Sequence, residues 1–248
     1  MPRSLALDVS RAFCVRLRRG WRDLPGGTFP RLLLGLLVAF VVAMGVTIGL
    51  TMAAKGSDSL HDWDTRVMED LAAERGPIAS LGLSFTDGIV LESYSNIAIL
   101  GPLTLLCIGW SIWREKLDLA ATFALTYVLA RFLIWTGWWL WPRSRPDLIA
   151  DGAAALSAHS FPSGHVALTF TTYGLLAVLL ARAGRNVIER IVPIILLLVL
   201  ATIVGLARLR LGAHWPSDTL AGGVIGIVWL TGVSLSLAWA RRKRSTSV

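Results

Sequence analysis

Leu32-Leu-Leu-Gly-Leu-Leu-Val-Ala-Phe-Val-Val-Ala-Met-Gly-Val-Thr-Ile-Gly-Leu-Thr-Met-Ala-Ala54 is a run of 23 residues without one charged side chain. A helix needs about 20 predominantly apolar residues to cross the hydrocarbon of a bilayer. Five comparable runs follow: Asn96 to Trp113, Leu117 to Trp141, His165 to Ala183, Ile188 to Leu206 and Thr219 to Ala240. The expected fold is therefore all-α, a polytopic membrane bundle of about six transmembrane helices. Composition agrees, with 54% hydrophobic residues, 16% charged residues and a mean hydropathy of +0.63, values typical of a membrane protein.

The net charge of +8 would suit nucleic acid if the cations formed a stripe, but they flank the apolar runs. Arg11, Arg16, Arg18, Arg19 and Arg22 precede the first, and Arg241, Arg242, Lys243 and Arg244 follow the last. Arg114, Lys116, Arg182, Arg185 and Arg190 occupy two of the intervening loops. Such loops stay in the cytoplasm, and they attract anionic lipid headgroups. Membrane lipids are the expected partners, and nucleic acid is not. Six spans return both termini to one side, so the reading divides the chain into a basic cytoplasmic N-terminal arm (1–30), a six-span domain (31–240) and a basic cytoplasmic tail (241–248). The loops 55–95, 142–164 and 207–218 then face the periplasm or the cell exterior. The first apolar run lies too far from the start, and is too long, for a cleaved signal.

Cys14 and Cys107 lie in the arm and in an apolar run, and support neither a disulfide framework nor a metal site. In the loop 55–95, Leu60, Trp63, Val67 and Leu71 recur at helical spacing, with Asp58, Asp62, Glu69 and Asp70 largely elsewhere on the wheel. This pattern predicts a short amphipathic helix on the membrane surface, ended by Gly76-Pro77.

Three runs at the outer ends of the spans can do chemistry. Pro162-Ser163-Gly164-His165 stands at the start of a span, where unpaired backbone N–H groups and the helix dipole favour an anion. Ser163 can cap the helix or donate its hydroxyl, and Gly164 admits a close backbone approach. An ordinary capped helix start is the competing reading. In the run Arg208-Leu-Arg210-Leu-Gly-Ala-His214-Trp-Pro-Ser-Asp218, His214 and Asp218 are four apart and share a face if a helix begins there. A carboxylate beside imidazole fixes its tautomer and leaves the other nitrogen free to attack. The alternative is an aspartate cap next to an interfacial histidine. Arg208 and Arg210 favour an anionic substrate. In the third run, Arg143-Ser-Arg145-Pro146, proline pushes Arg145 towards an extended conformation, from which its guanidinium can grip phosphate oxygens; a pair of interfacial basic residues is the competing reading.

The order Arg-Pro, Pro-Ser-Gly-His, then Arg-x5-His-x3-Asp resembles the signature of the type 2 phosphatidic acid phosphatase superfamily, and most closely its six-span bacterial lipid phosphatases. The resemblance spans roughly residues 60–235, and its specific part is the catalytic segment 143–218. It implies that His214 is a nucleophile forming phosphohistidine, Asp218 its orienting partner and His165 the general acid. It also implies that Arg145, Ser163, Gly164 and Arg208 cradle the phosphate.

Trp138 stands where the family's first motif has lysine, and Ala207 where its third motif has serine. Arg143, Arg210 and Arg131 are candidates to supply the missing charge, and Trp138 itself could wall the substrate entrance. Trp135, Trp138, Trp139 and Trp141 together suggest an interfacial aromatic belt. His61 and His159 read as polar loop histidines. The expected activity is lipid phosphate hydrolysis without metal or cofactor, on undecaprenyl diphosphate, phosphatidylglycerol phosphate or phosphatidic acid. The same site would also serve a lipid phosphotransferase, or persist in a non-catalytic transporter or scaffold.

Overall fold

The computed structural model describes residues 2–149 and 159–242, with side chains from residue 11 onward. Lys243 and Arg244, assigned above to the basic tail, lie outside the described residues. Eleven helices are described: α1 (Pro2–Arg22), α2 (Thr28–Lys55), α3 (Asp58–Ala72), α4 (Gly76–Ala79), α5 (Phe85–Ser93), α6 (Ile97–Trp113), α7 (Leu117–Leu140), α8 (Gly164–Thr169), α9 (Thr172–Ala183), α10 (Val187–Arg210) and α11 (Pro216–Ala240). Six helical runs are long and apolar enough to cross a membrane: Thr28–Lys55, Phe85–Trp113, Leu117–Leu140, Gly164–Ala183, Val187–Arg210 and Pro216–Ala240. The chain is an integral membrane protein built as an α-helical bundle.

The spans agree with the apolar runs in number but differ at their ends, because caps rather than hydropathy set those ends. The second run starts at Phe85 instead of Asn96. Ser84 and Asp87 form a reciprocal capping box, with Asp87 N donating to Ser84 Oγ at 3.1 Å and Ser84 N to Asp87 Oδ2 at 2.9 Å, which starts a helix inside the polar stretch. Asn96 then caps α6. The fifth run continues past Leu206 to Arg210, where Gly212 ends it with φ 63°. Gly212 N donates to Leu209 O and Ala213 N to Arg208 O, a Schellman turn that favours glycine at this left-handed position. The sixth starts at Pro216, which needs no N–H in a first turn.

One end of the bundle carries α1 and both ends of the described chain. There Arg16 donates to Trp113 O, Arg31 to Arg242 O and Arg241 to Asp118. The opposite end carries α3 and the three chemistry-bearing runs. The N-terminal arm is thus helical over most of its length. The apolar core lies among the spans, with Leu36, Phe123, Leu133, Leu175, Ile225 and Trp229 buried.

The amphipathic helix predicted in the first outer loop is α3, capped by Ser57. Its orientation differs from the one expected. Asp64, Met68 and Leu71 face inward, while Trp63 is 37% exposed. The helix is rotated because its buried face carries a carboxylate, Asp64, that meets an arginine inside the protein.

Candidate active site

The three runs meet at the α3 end of the bundle. The segment after α7 is extended and lies beside residues 159–163, with Ser160 N donating to Arg143 O at 3.0 Å and Ser160 Oγ to Ser144 O at 3.1 Å. The Schellman turn after α10 brings the chain back so that His214 follows Arg208 closely. Asp218 is the third residue of α11, where the helix dipole favours a carboxylate, and its Oδ2 accepts from Trp215 N at 2.8 Å. His214 Nδ1 lies 3.5 Å from the same oxygen, an ion-pair separation rather than a formed hydrogen bond. Both side chains are buried.

His165 opens α8, and Ser163 N donates to Asp218 O at 2.9 Å, joining the second run to the third. Ser163 makes no side-chain cap; its buried Oγ has no partner among the described residues. Gly164 packs against Ile134 and Trp138, where a Cβ would sit 3.4 Å and 3.6 Å from their carbons. Arg145 donates to the carbonyls of Ala213 and, at 3.1 Å, of His159. The backbone of His159, read above as a loop residue, thus helps to hold Arg145. Arg208 is buried at the end of α10 and ion-paired to Glu92 of α5.

Burial holds the His214 imidazole well below its ordinary value near 6.5, and Arg208, Arg145 and His165 push the same way; only the Ser160 backbone opposes. Burial likewise lowers the Arg145 guanidinium, opposed by the Asp218 charge. The site therefore gathers an uncharged imidazole, a second histidine and two guanidiniums around one small volume. That set suits an anion and an attacking nitrogen.

The PAP2 superfamily model matches residues 115–242, just over half of the chain. The chain belongs to the PAP2 superfamily. It is 30% identical over 122 residues to the Escherichia coli (strain K12) protein named "Putative undecaprenyl-diphosphatase YbjG". That match covers 48% of this chain and 57% of the relative, so the chain spans little more than half the length of that protein. A solved PAP2-type transmembrane phosphatidylglycerolphosphate phosphatase from Bacillus subtilis has a similar fold, with a TM-score of 0.63 at 22% identity over 78% of this chain and 93% of the other.

Within this PAP2 site the accessory candidates separate. Arg210 points away, donating to Leu83 O at 2.7 Å. Arg131 is exposed on α7. Trp138 donates its indole N–H to Pro162 O at 3.2 Å, so at the position of the family lysine it buttresses the second run. Both terminal nitrogens of Arg143 engage carboxylates, Asp64 and Asp218, rather than open space. Two residues that the sequence reading passed over thus enter the site, Asp64 and Glu92. The helical spacing of Asp64 with Leu60 and Met68 was the one available signal for the first.

The buried neutral state of His214 has a consequence for stability. Its folded-state value is depressed, so as pH falls below about 6.5 the unfolded chain takes up a proton that the folded chain refuses. This contribution to stability is full above pH 6.5 and shrinks on acidification. The expected result is a smaller fall in melting temperature between pH 7 and pH 5 for His214→Gln than for wild type, measured on purified protein without substrate. Equal falls would contradict it.

Proposed function

We propose that the chain is a metal-independent lipid phosphatase, acting through phosphohistidine on the periplasmic or extracellular face of the plasma (inner) membrane. The carrying observation is the convergence of His214, His165, Arg145 and Arg208 beside an apolar cleft. That cleft, about 730 Å³, lies between α10 and α11 beneath α3 and is lined by Trp63, Val67, Val166, Gly205, Leu209 and Val224. Val166 and Leu209 directly follow His165 and Arg208 in the chain, so a headgroup at the site would have an apolar path for its tail. The arginines near both chain ends support a cytoplasmic location for the opposite end of the bundle. The name of the Escherichia coli relative supports undecaprenyl diphosphate as the leading substrate, with phosphatidylglycerol phosphate and phosphatidic acid next.

With Nδ1 towards Asp218, His214 Nε2 attacks phosphorus in line. The bond from phosphorus to the lipid or lipid phosphate oxygen breaks, and that oxygen takes its electron pair and a proton from His165. Arg145, Arg208, Ser163 Oγ and the N-terminal N–H groups of the fourth span stabilise the equatorial oxygens. His165 then removes a proton from water, which attacks phosphorus and releases inorganic phosphate and neutral His214. Among the described residues no three His, Cys, Asp or Glu side chains cluster as a metal site, and turnover is expected to persist in a chelator. Purified protein given one lipid substrate and no acceptor should release inorganic phosphate. Transfer only after a second lipid is added would instead establish a phosphotransferase.

Glu92 occupies Arg208 until a phosphate arrives. Glu92→Gln frees that guanidinium, so orthovanadate should inhibit more tightly, by about 3- to 10-fold for a charge-assisted contact. Unchanged inhibition would show that Glu92 does not compete with the anion.

A further inference from the structure

We propose that Asp64, on the helix of the first outer loop, is a positioning residue for the reaction: through Arg143 it sets the direction of Asp218 towards His214. This rests on the lipid-phosphatase reading above. Asp64 is fully buried and takes three donors, Arg143 Nη2 at 2.7 Å, Ser217 Oγ at 2.5 Å and Ser217 N at 2.8 Å. The other terminal nitrogen of Arg143 reaches Ser217 Oγ and Asp218 Oδ1, both at 2.8 Å. The guanidinium carbon lies over the rings of both Trp141 and Trp215, 4.8 Å and 5.0 Å from their centroids, contacts that restrict its fork.

The division of labour follows from counting acceptors. Arg143 spends one nitrogen on Asp64 and one on Asp218 Oδ1. Asp218 Oδ2 accepts from Trp215 N and faces His214 Nδ1, while the Ser160 hydroxyl also lies within hydrogen-bonding reach of this carboxylate. Take away the charge of Asp64, and a buried Arg143 nitrogen loses its anionic acceptor. Asp218 already bonds the other nitrogen through Oδ1 and offers its second oxygen, and a two-pronged grip is the preferred arginine–carboxylate geometry. That grip would draw Oδ2 from His214. Asp64 also holds Ser217 N, an orphan donor in the first turn of α11, and so steadies the turn that sets His214 opposite Asp218. Position 64 lies on a loop helix far from the catalytic motifs in sequence, yet two hydrogen-bonded links separate it from the nucleophile's partner.

An ordinary structural ion pair would also be buried, so the test needs readouts that packing alone does not move. Purified full-length Asp64→Asn is compared with wild type and with Asp62→Asn, an exposed change on the same helix. With undecaprenyl diphosphate, Asp64→Asn should lower kcat by about 10- to 100-fold with KM within about threefold, the pattern of a contact used in the transition state. Without substrate, ¹⁵N-histidine spectra should show His214 (assigned by its loss in His214→Gln) as the Nδ1-protonated tautomer in wild type and as a mixture in Asp64→Asn. Asp62→Asn should change neither. If Asp64→Asn does not fold, Arg143→Lys takes its place, because a lysine keeps the charge but lacks the fork that spans two carboxylates; the same two signatures are expected. An unaltered His214 signature, or a kcat within twofold of wild type, overturns the proposal. Absence of phosphatase turnover in wild type would overturn the lipid-phosphatase reading instead, and the tautomer readout would still decide the part played by Asp64.

Discussion

His214→Ala is expected to reduce kcat by at least about 10³-fold, roughly 4 kcal/mol of transition-state stabilisation, with no phosphorylated protein trapped. The size follows from what the imidazole supplies. Burial and three neighbouring basic groups keep it uncharged, so its lone pair is available at neutral pH without prior loss of a proton. In the proposed route Asp218 Oδ2, 3.5 Å from Nδ1, would stabilise the positive charge that develops as Nε2 bonds to phosphorus. Alanine would remove the proposed attacking atom; Arg145 and Arg208 stay protonated and carry no lone pair, and His165 would be engaged as the proton donor. Substrate binding should survive, since the guanidiniums and the helix start are untouched. His165→Ala gives the informative contrast: trapping of an acid-labile phosphoprotein should persist, slowed by about 10²- to 10⁴-fold as for loss of a general acid. Retention of more than a tenth of wild-type turnover in His214→Ala would rule out the covalent route.

The bundle was legible because a span announces itself by length and hydropathy alone, as the run from Leu32 to Ala54 does. Its ends were not, because they depend on caps. Ser84 and Asp87 start a helix where polar residues suggested loop, and α10 runs on to Arg210 before Gly212 ends it, so that Arg208 is helical. The motif residues were legible as a set, through spacing around His165, Arg208, His214 and Asp218. Their counter-charges were not. Asp64 and Glu92 come from segments whose link to the motifs exists only in three dimensions, and an acidic outer loop offers several equivalent carboxylates to a reader of sequence. Arg143 shows the same limit: a cation beside Arg145 reads as another phosphate ligand until a buried carboxylate is found opposite it. At Trp138 the departure from the family lysine was visible in the sequence. Its hydrogen bond to Pro162 O was not.

Gly222→Ala is expected to lower activity by about 10²-fold and to destabilise the protein by about 1–3 kcal/mol, the usual range for overpacking at a close contact. Gly222 lies one turn beyond Asp218 in α11 and faces the start of the fourth span. A Cβ there would stand 2.5 Å from Ser163 O and 3.3 Å from Ser163 Cβ. Its nearest obstacle is backbone, which cannot swing aside as a flexible side chain could. Small residues let membrane helices close to such distances, where packing rather than the hydrophobic effect drives association. Here the close approach also has a chemical result, because it allows Ser163 N to donate to Asp218 O at 2.9 Å. Moving α11 outward to admit a methyl group lengthens that bond and separates the helix start that would hold the phosphate from the pair that would attack it. An error of about 1 Å between reacting groups costs on the order of 10²-fold. Because the disturbance is relative displacement, kcat should fall while an unfolding transition remains measurable at lower temperature. Gly223→Ala provides the control: a Cβ at Gly223 would meet only Val166, at 3.9 Å, an ordinary contact. Because Gly223 also lines the apolar cleft, the comparison is made on kcat, which should stay within about twofold of wild type, as for a change that makes no new strain. Equal losses at positions 222 and 223 would mean that helix composition, not the approach to Ser163, governs the site.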